Sequence, residues 1–159
     1  MNIREIEERD NQALERIIKN SLESFGLDIP GTAYFDPQLG SLSRFYEKQP
    51  NAKYWTLTDD EGEVLGGVGI APFSPQHPDV GELQKLYIKP EAQGLGLSKK
   101  LMDTALDFAR QHYSSCYLET MEKLQTANRL YERLGFRRLE RPLEGSEHGT
   151  MDRWYLKEF

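Results

Sequence analysis

Six consecutive residues, Gln93-Gly94-Leu95-Gly96-Leu97-Ser98, form the stretch of this chain with the most chemical content. Glycines let a backbone turn tightly and aim successive N–H groups into one concavity. A helix starting directly afterwards adds its own unpaired N–H groups and the positive end of its dipole. A pyrophosphate fits such a cradle. Lys99 and Lys100 would place positive charge beside it, although lysines in a first helical turn are also ordinary surface residues. Taken alone, the loop reads equally well as a plain turn before a helix. It lacks the third glycine and distal acidic residue of a dinucleotide fold, and it lacks the Gly-Lys-Ser/Thr of a triphosphate loop.

The other reactive side chains are less informative. His77, His112 and His148 share no metal-ligand spacing, so each reads as a surface or loop residue and no metal is expected. Cys116 is the only cysteine, which excludes an intrachain disulfide and a thiolate zinc cluster. It reads as a small buried hydrophobe, not as an acyl-carrying nucleophile, because no neighbour in sequence would activate it.

A long helix after the glycine loop follows from Leu101, Met102, Ala105, Leu106, Phe108 and Ala109, which recur at helical spacing, and GELQKLYIKP before the loop reads as a strand. SCYLETM is a second strand, and Leu124, Ala127, Leu130, Tyr131 and Leu134 line a further helix that stops at Gly135. The result is a βαβα unit whose strands are parallel and joined by a right-handed crossover. Upstream, Asp10 is placed to cap a helix with Leu14, Ile17, Ile18, Leu22 and Phe25 on its buried face. Asp36-Pro37 reads as the start of a second helix burying Leu39, Leu42, Phe45 and Tyr46. KYWTLTD and EVLGGVGIAPF flank Asp60, Glu61 and Gly62 as an antiparallel hairpin, and the stretch from Ala71 to Gly81, with three prolines, reads as a loop. FRRLE and MDRWYLKEF close the sheet as an antiparallel pair. The expected fold is therefore α/β: largely antiparallel N-terminal strands, a central parallel pair, and helices on both faces of one mixed sheet.

Residues 1–159 suit a single domain able to close a hydrophobic core, with 38% hydrophobic and 29% charged residues. A formal net charge of −6 opposes a nucleic-acid or anionic-membrane partner, and no stretch nears the roughly 20 apolar residues needed to span a bilayer. With one cysteine and no export signal, the expected location is cytoplasmic.

LYIKPEAQGLGLSKKLMDTAL resembles the signature of the GNAT superfamily of N-acetyltransferases: a strand, then Gln/Arg-x-x-Gly-x-Gly/Ala, then a helix. YLETMEKLQTANRLYERLGF is similar to the family's following strand and helix, including an alanine four residues before a tyrosine and a Gly-Phe opening the next strand. The resemblance implies an enzyme that transfers the acetyl group of acetyl-CoA to a primary amine by direct attack through a tetrahedral intermediate. It assigns Leu86, Tyr87 and Ile88 to the pantetheine arm, Gln93, Gly94, Leu95, Gly96, Leu97, Ser98 and Lys99 to the pyrophosphate, and Asn128 and Tyr131 to further cofactor contacts. Two positions depart from the pattern. Ser98 stands where glycine or alanine is usual, and Leu124 stands where many members carry a cofactor-binding asparagine.

Within that resemblance Tyr131 is the expected acid for the leaving sulfur, against the alternative of a core aromatic whose hydroxyl reaches water. Glu82, eleven positions before Gln93, is the expected base, against the alternative of a solvated strand-end carboxylate, and Glu119 is a weaker competitor. Regular alternation would put Glu82 and Gln84 on one face, unless a bulge in this strand disturbs the count. Acceptor choice would fall to Gly26–Tyr46 and Arg141–Trp154, where Tyr34, Phe35 and Tyr46 are candidate pocket walls and Arg44 a candidate carboxylate holder. A small-molecule amine such as an amino acid is the favoured acceptor, with a protein N-terminus or lysine as the second enzyme reading and a non-catalytic acyl-CoA sensor as the reading from another class. Homodimerisation fits the family, although the sequence locates no apolar patch for it.

Overall fold

The computed structural model describes residues 1–159. Seven strands form one sheet in the order β1-β2-β3-β4-β5-β7-β6: β1 (Asn2–Glu5), β2 (Lys53–Thr58), β3 (Val64–Ser74), β4 (His77–Ile88), β5 (Ser115–Thr120), β6 (Arg137–Leu139) and β7 (Arg153–Glu158). Only β4 and β5 run parallel; every other neighbouring pair is antiparallel. Four helices cover the sheet: α1 (Asn11–Ser24), α2 (Leu42–Glu47), α3 (Leu97–His112) and α4 (Gln125–Arg133). On one face, Leu101, Met102, Ala105 and Leu106 of α3 and Leu130 of α4 pack on Val68, Ile70, Cys116 and Leu118. On the other, Leu14, Ile18 and Leu22 of α1 and Leu42 and Tyr46 of α2 pack on Tyr54 and Ala71. Strands covered on both faces need apolar residues at consecutive positions, which is why β2 and β3 read as nearly continuous hydrophobic runs.

Two irregularities in β4 open the middle of the sheet. The register from Gly67↔Tyr87 to Gly69↔Gln84 sets three steps on β4 against two on β3, and Lys85 takes up the extra residue with φ +51. This is a β-bulge, and it puts Leu83 and Ile88, five positions apart, into the same core cluster. The pairing of β4 with β5 also stops early, at Val80↔Ser115, Gly81↔Cys116 and Glu82↔Tyr117. From Leu83 onward the edge of β4 that faces β5 has no strand partner, so the sheet splays open there.

Several local expectations change. β1 is absent from the sequence reading because Asn2–Glu5 is short and polar, with only Ile3 packed against the core. The predicted proline loop between Ala71 and Gly81 is instead a continuous hairpin: β3 runs to Ser74, β4 restarts at His77, and Pro72 sits beside a register shift where a missing N–H is tolerated. Asp10 precedes α1 but gives it no side-chain cap; its carboxylate accepts from both terminal nitrogens of Arg4, at 2.7 and 2.9 Å, and from the Glu7 N–H. Phe25 lies past the end of α1 and is 45% exposed. The second helix begins at Leu42, not at Asp36, after short 3-10 turns at Ala33–Phe35 and Leu39–Ser41. The Asp36 carboxylate is committed to tertiary contacts with Lys85 and His148.

Candidate functional site

Where β4 and β5 part, a cleft of about 580 Å³ opens between the end of β4, the Gln93–Lys99 segment and α4. Its strand wall is Leu86, Tyr87 and Ile88; its far wall includes Gln93, Gly94, Gly96, Leu97, Ser98 and Lys99. Gly94 and Gly96 have φ +79 and +75, a conformation that side-chain-bearing residues adopt at a cost. A Cβ built on either would meet nothing within 4 Å, so backbone conformation and not crowding makes these positions glycine. Gly96 is the N-cap of α3, which leaves the first-turn N–H groups of a 16-residue helix directed at the cleft. The Gln93 side chain donates to the Ile88 carbonyl at 3.0 Å and fastens the loop to the strand end.

Two residues assigned to this cleft by sequence resemblance do not turn their side chains into it. Leu95 turns its side chain to solvent, 60% exposed, so only its backbone is available. Asn128 is buried, and its amide nitrogen donates to the carbonyls of Met121 and Glu122, which holds the turn that leads into α4. Lys99 lines the cleft while pairing with Asp103 at 2.8 Å.

A smaller cavity of about 120 Å³ adjoins the cleft, and both share Leu22, Leu27, Leu86, Tyr87, Leu124 and Ala127 as lining. Glu82, Gln84, Glu119, Tyr131 and His148 meet in it. Tyr131 comes from α4, packs its ring against Phe136 and Tyr155, and makes no hydrogen bond within the protein through its hydroxyl. Burial, and then the Tyr155 hydroxyl, hold its pKa above the ordinary phenol value, so it remains a proton donor at neutral pH.

Glu82 and Gln84 share a face, since the bulge falls after them. The Tyr46 hydroxyl donates to Gln84 Oε1 at 2.6 Å, and Gln84 Nε2 donates to Glu82 Oε1 at 2.6 Å, so the carboxylate is oriented by a two-step relay from α2. The Tyr46 ring occupies the space left by the missing side chain of Gly69; a Cβ there would lie 2.5 Å from its hydroxyl oxygen. Removal from water, opposed by the Gln84 hydrogen bond and reinforced by the Glu119 charge, pushes the Glu82 pKa to about 7, with His148 and Lys85 pulling the other way. A carboxylate that titrates near neutrality is suited to accept a proton.

Asp36 is where sequence reasoning fell short. Its Oδ2 is 2.9 Å from Lys85 Nζ and its Oδ1 3.1 Å from His148 Nε2, although the three residues span 112 positions. Burial alone would raise the Asp36 pKa, but the hydrogen bond from His148 and the Lys85 charge hold it below the usual carboxylate range. The same hydrogen bond raises the pKa of His148. His148 is therefore not the plain loop residue expected from its lack of metal spacing. Lys85 had one legible signal, since a lysine two positions after the buried Leu83 breaks strand alternation; Asp36 and His148 had none. Arg44, expected as a carboxylate holder, faces a separate groove with Glu5 and Lys53. Tyr34 is tied to Glu23 and Phe35 is 58% exposed, so only Tyr46 of the predicted aromatic wall reaches the site, and it does so through Gln84. Cys116 is fully buried, and burial pushes its thiol to about 12, which removes it as a nucleophile at neutral pH.

The segment between β6 and β7 roofs the cavity. Thr150 Oγ1 donates to the Pro30 carbonyl at 2.7 Å, the Leu143 N–H to the Tyr117 hydroxyl at 3.2 Å, and the Glu122 N–H to Asp152 at 2.8 Å. No helix of the protein is long and apolar enough to cross a membrane.

Comparison with known proteins agrees with this geometry. The profile of the Acetyltransferase (GNAT) family matches residues 14–136. An uncharacterised N-acetyltransferase of Escherichia coli, YjgM, is 40% identical over 94% of this chain and 90% of its own length. Among solved structures, a GNAT-family acetyltransferase from Staphylococcus aureus superposes with a TM-score of 0.83 at 20% identity, covering 99% of this chain and 98% of that one. The PaiA N-acetyltransferase of Thermoplasma acidophilum, solved in complex with coenzyme A, superposes at 0.75 with 16% identity and coverage of 99% and 98%.

Proposed function

The chain belongs to the Acetyltransferase (GNAT) family and is an N-acetyltransferase of that type, and from that premise we propose that it moves the acetyl group of acetyl-CoA onto the primary amine of a small molecule such as an amino acid. The observation that carries this reading is the junction of the two cavities: a cleft bounded by the Gln93–Lys99 segment adjoins a smaller cavity that presents a carboxyl titrating at about 7 and a protonated phenol.

The residues present fit acetyl-CoA. Gly94, Gly96 and the start of α3 offer converging N–H groups to a pyrophosphate, with Lys99 alongside. The unpaired edge of β4 from Leu83 to Ile88 offers backbone hydrogen bonds to an amide-bearing arm. When bound there, acetyl-CoA supplies a thioester carbonyl. Glu82 takes a proton from the acceptor amine, directly or through a water, so that the nitrogen lone pair is free to form the N–C bond. A backbone N–H of the Leu86–Ile88 segment hydrogen-bonds the carbonyl oxygen as negative charge gathers on it, an effect worth ~3 kcal/mol in comparable oxyanion sites. Tyr131 would give its proton to the sulfur as the C–S bond breaks and recover one, through water, from the nitrogen of the collapsing adduct. Glu82 would then pass its own proton to solvent.

Beneath the segment held by Thr150 and Leu143 the cavity measures only about 120 Å³, which favours a small acceptor over a protein chain. The raised pKa of Glu82 favours turnover over a sensor that only binds acyl-CoA, since an idle site has no need to bury a carboxylate. The buried free thiol of Cys116 suits a reducing cytoplasm. Thiol release from acetyl-CoA against pooled amino acids, polyamines and short peptides, run beside calorimetric titration of coenzyme A, tests the reading. Turnover with one pool is expected, and absence of coenzyme A binding defeats it.

A further inference from the structure

The inner cavity brings acidic and basic side chains together. Its floor carries Glu82 from β4 and Glu119 from β5; no lysine, arginine or histidine nitrogen lies within 4.0 Å of either carboxylate, and Glu119 Oε1 is buried without a hydrogen-bond partner. Tyr117 occupies the other oxygen of Glu119 at 2.8 Å. Lys85 and His148 line the same cavity and share the single carboxylate of Asp36, and both act electrostatically on Glu82. The Lys85 side chain is only 4% exposed and spends its charge on Asp36. The imidazole is thus the surplus group: Nε2 is committed to Asp36, Nδ1 makes no hydrogen bond within the protein, and the ring lines the cavity.

We propose that His148, held by Asp36 beneath the β6–β7 roof, binds the carboxylate of the acceptor while the amine lies toward Glu82, so that the acceptor is an α-amino acid and neither a polyamine nor a protein amine. The inference rests on the acetyl-CoA transferase reading and sharpens it. A polyamine has only ammonium to set against an imidazolium, whereas a zwitterion offers a carboxylate to His148 and an amine to Glu82. The hydrogen bond to Asp36 favours the protonated ring, which makes His148 an anion holder instead of a second base competing with Glu82. The charged groups around the ring are Asp36 from the α1–α2 connection, Glu82 and Lys85 from β4, Glu119 from β5, and the exposed Glu144 and Glu147 of its own segment.

The test compares each amino acid with its α-carboxamide and adds putrescine and spermidine, using thiol release at saturating acetyl-CoA. Amino acids should exceed their amides by about tenfold or more in kcat/KM, the size of one charge-assisted contact. His148→Gln should raise KM about tenfold more for the acids than for the amides, while any change in kcat that follows from removing its charge from beside Glu82 is shared by both series. Thr150→Val, which loosens the same roof without removing charge, should act on acids and amides alike. Raising the pH through the imidazole titration should raise KM for the acids only, whereas ionisation of Glu82 acts on both series. Amides used as well as acids, or His148→Gln and Thr150→Val behaving identically, overturn the proposal. Polyamine turnover without amino-acid turnover overturns it while leaving the transferase reading intact. No thiol release with any amine removes both.

Discussion

The cleft and the inner cavity adjoin, yet they are built in opposite ways. The cleft is made of backbone: two left-handed glycines, a helix N-terminus and a strand edge with no partner, all within Leu83–Lys99 except the α1 and α4 walls. The cavity takes its chemistry from ionisable side chains of separate segments, Glu82 on β4, Glu119 on β5, Tyr131 on α4 and His148 between β6 and β7, with Asp36 behind His148. Backbone N–H groups carry no titratable charge, so the cleft holds its anion-binding character at any ordinary pH. The cavity depends on protonation states that burial and neighbouring charges set, and it should respond to pH and to single-atom changes.

Glu82→Gln is the strongest way to break this contrast. It should lower kcat/KM by about a thousandfold while leaving coenzyme A affinity unchanged, checked by steady-state kinetics and calorimetry. The same change should stabilise the fold. A folded-state pKa near 7, above the unfolded value near 4.5, means that the folded protein binds the proton more tightly, so stability falls as pH rises through that window. Above pH 7 the variant should therefore be more stable than the parent, on the order of 2 kcal/mol by denaturant titration.

Asp36→Asn removes the shared anchor of Lys85 and His148 and should cost about 3 kcal/mol at pH 7, because a nearly buried lysine is left without its counter-ion. The sign can be checked by pH. The depressed pKa of Asp36 gives stability that is present at neutral pH and lost as pH falls through the carboxylate range, and the variant should lose that part of the acid sensitivity. The raised pKa of His148 gives stability that is present in acid and lost as pH rises through its titration, and this too should weaken in the variant.

Tyr131→Phe should lower kcat by roughly 10- to 100-fold with coenzyme A affinity within twofold, since the ring keeps its packing against Phe136 and Tyr155 and loses only the proton donor. Gly96→Ala is the smallest effect and the complementary one. With open space at its Cβ, the substitution forces only the left-handed backbone, which should cost about 1 kcal/mol of stability and weaken coenzyme A several-fold. Turnover at saturating acetyl-CoA should stay near that of the parent. A Gly96→Ala variant with unchanged cofactor affinity but altered acceptor KM would erase the division between the two regions.

The sequence by itself determined the elements of the βαβα unit and the glycine loop, because each is dictated within a window of ten to twenty residues by periodicity, capping and φ preference, and it determined the parallel pairing because a helix joins the two strands. Glu82 and Gln84 were placed correctly on one face, since strand alternation holds as far as the bulge. Tertiary structure alone decided the rest. Asp36-Pro37 has the local chemistry of a helix start, yet the carboxylate lowers its energy further by meeting Lys85 and His148 than by capping a helix. Phe25 matches the helical period but falls one residue beyond the end of α1. His148 has no local pattern at all, because the charge on an imidazole and the ligand it can hold depend on what packs around it, and the groups that set its charge, Lys85, Glu82 and Asp36, lie 63, 66 and 112 positions away in the chain.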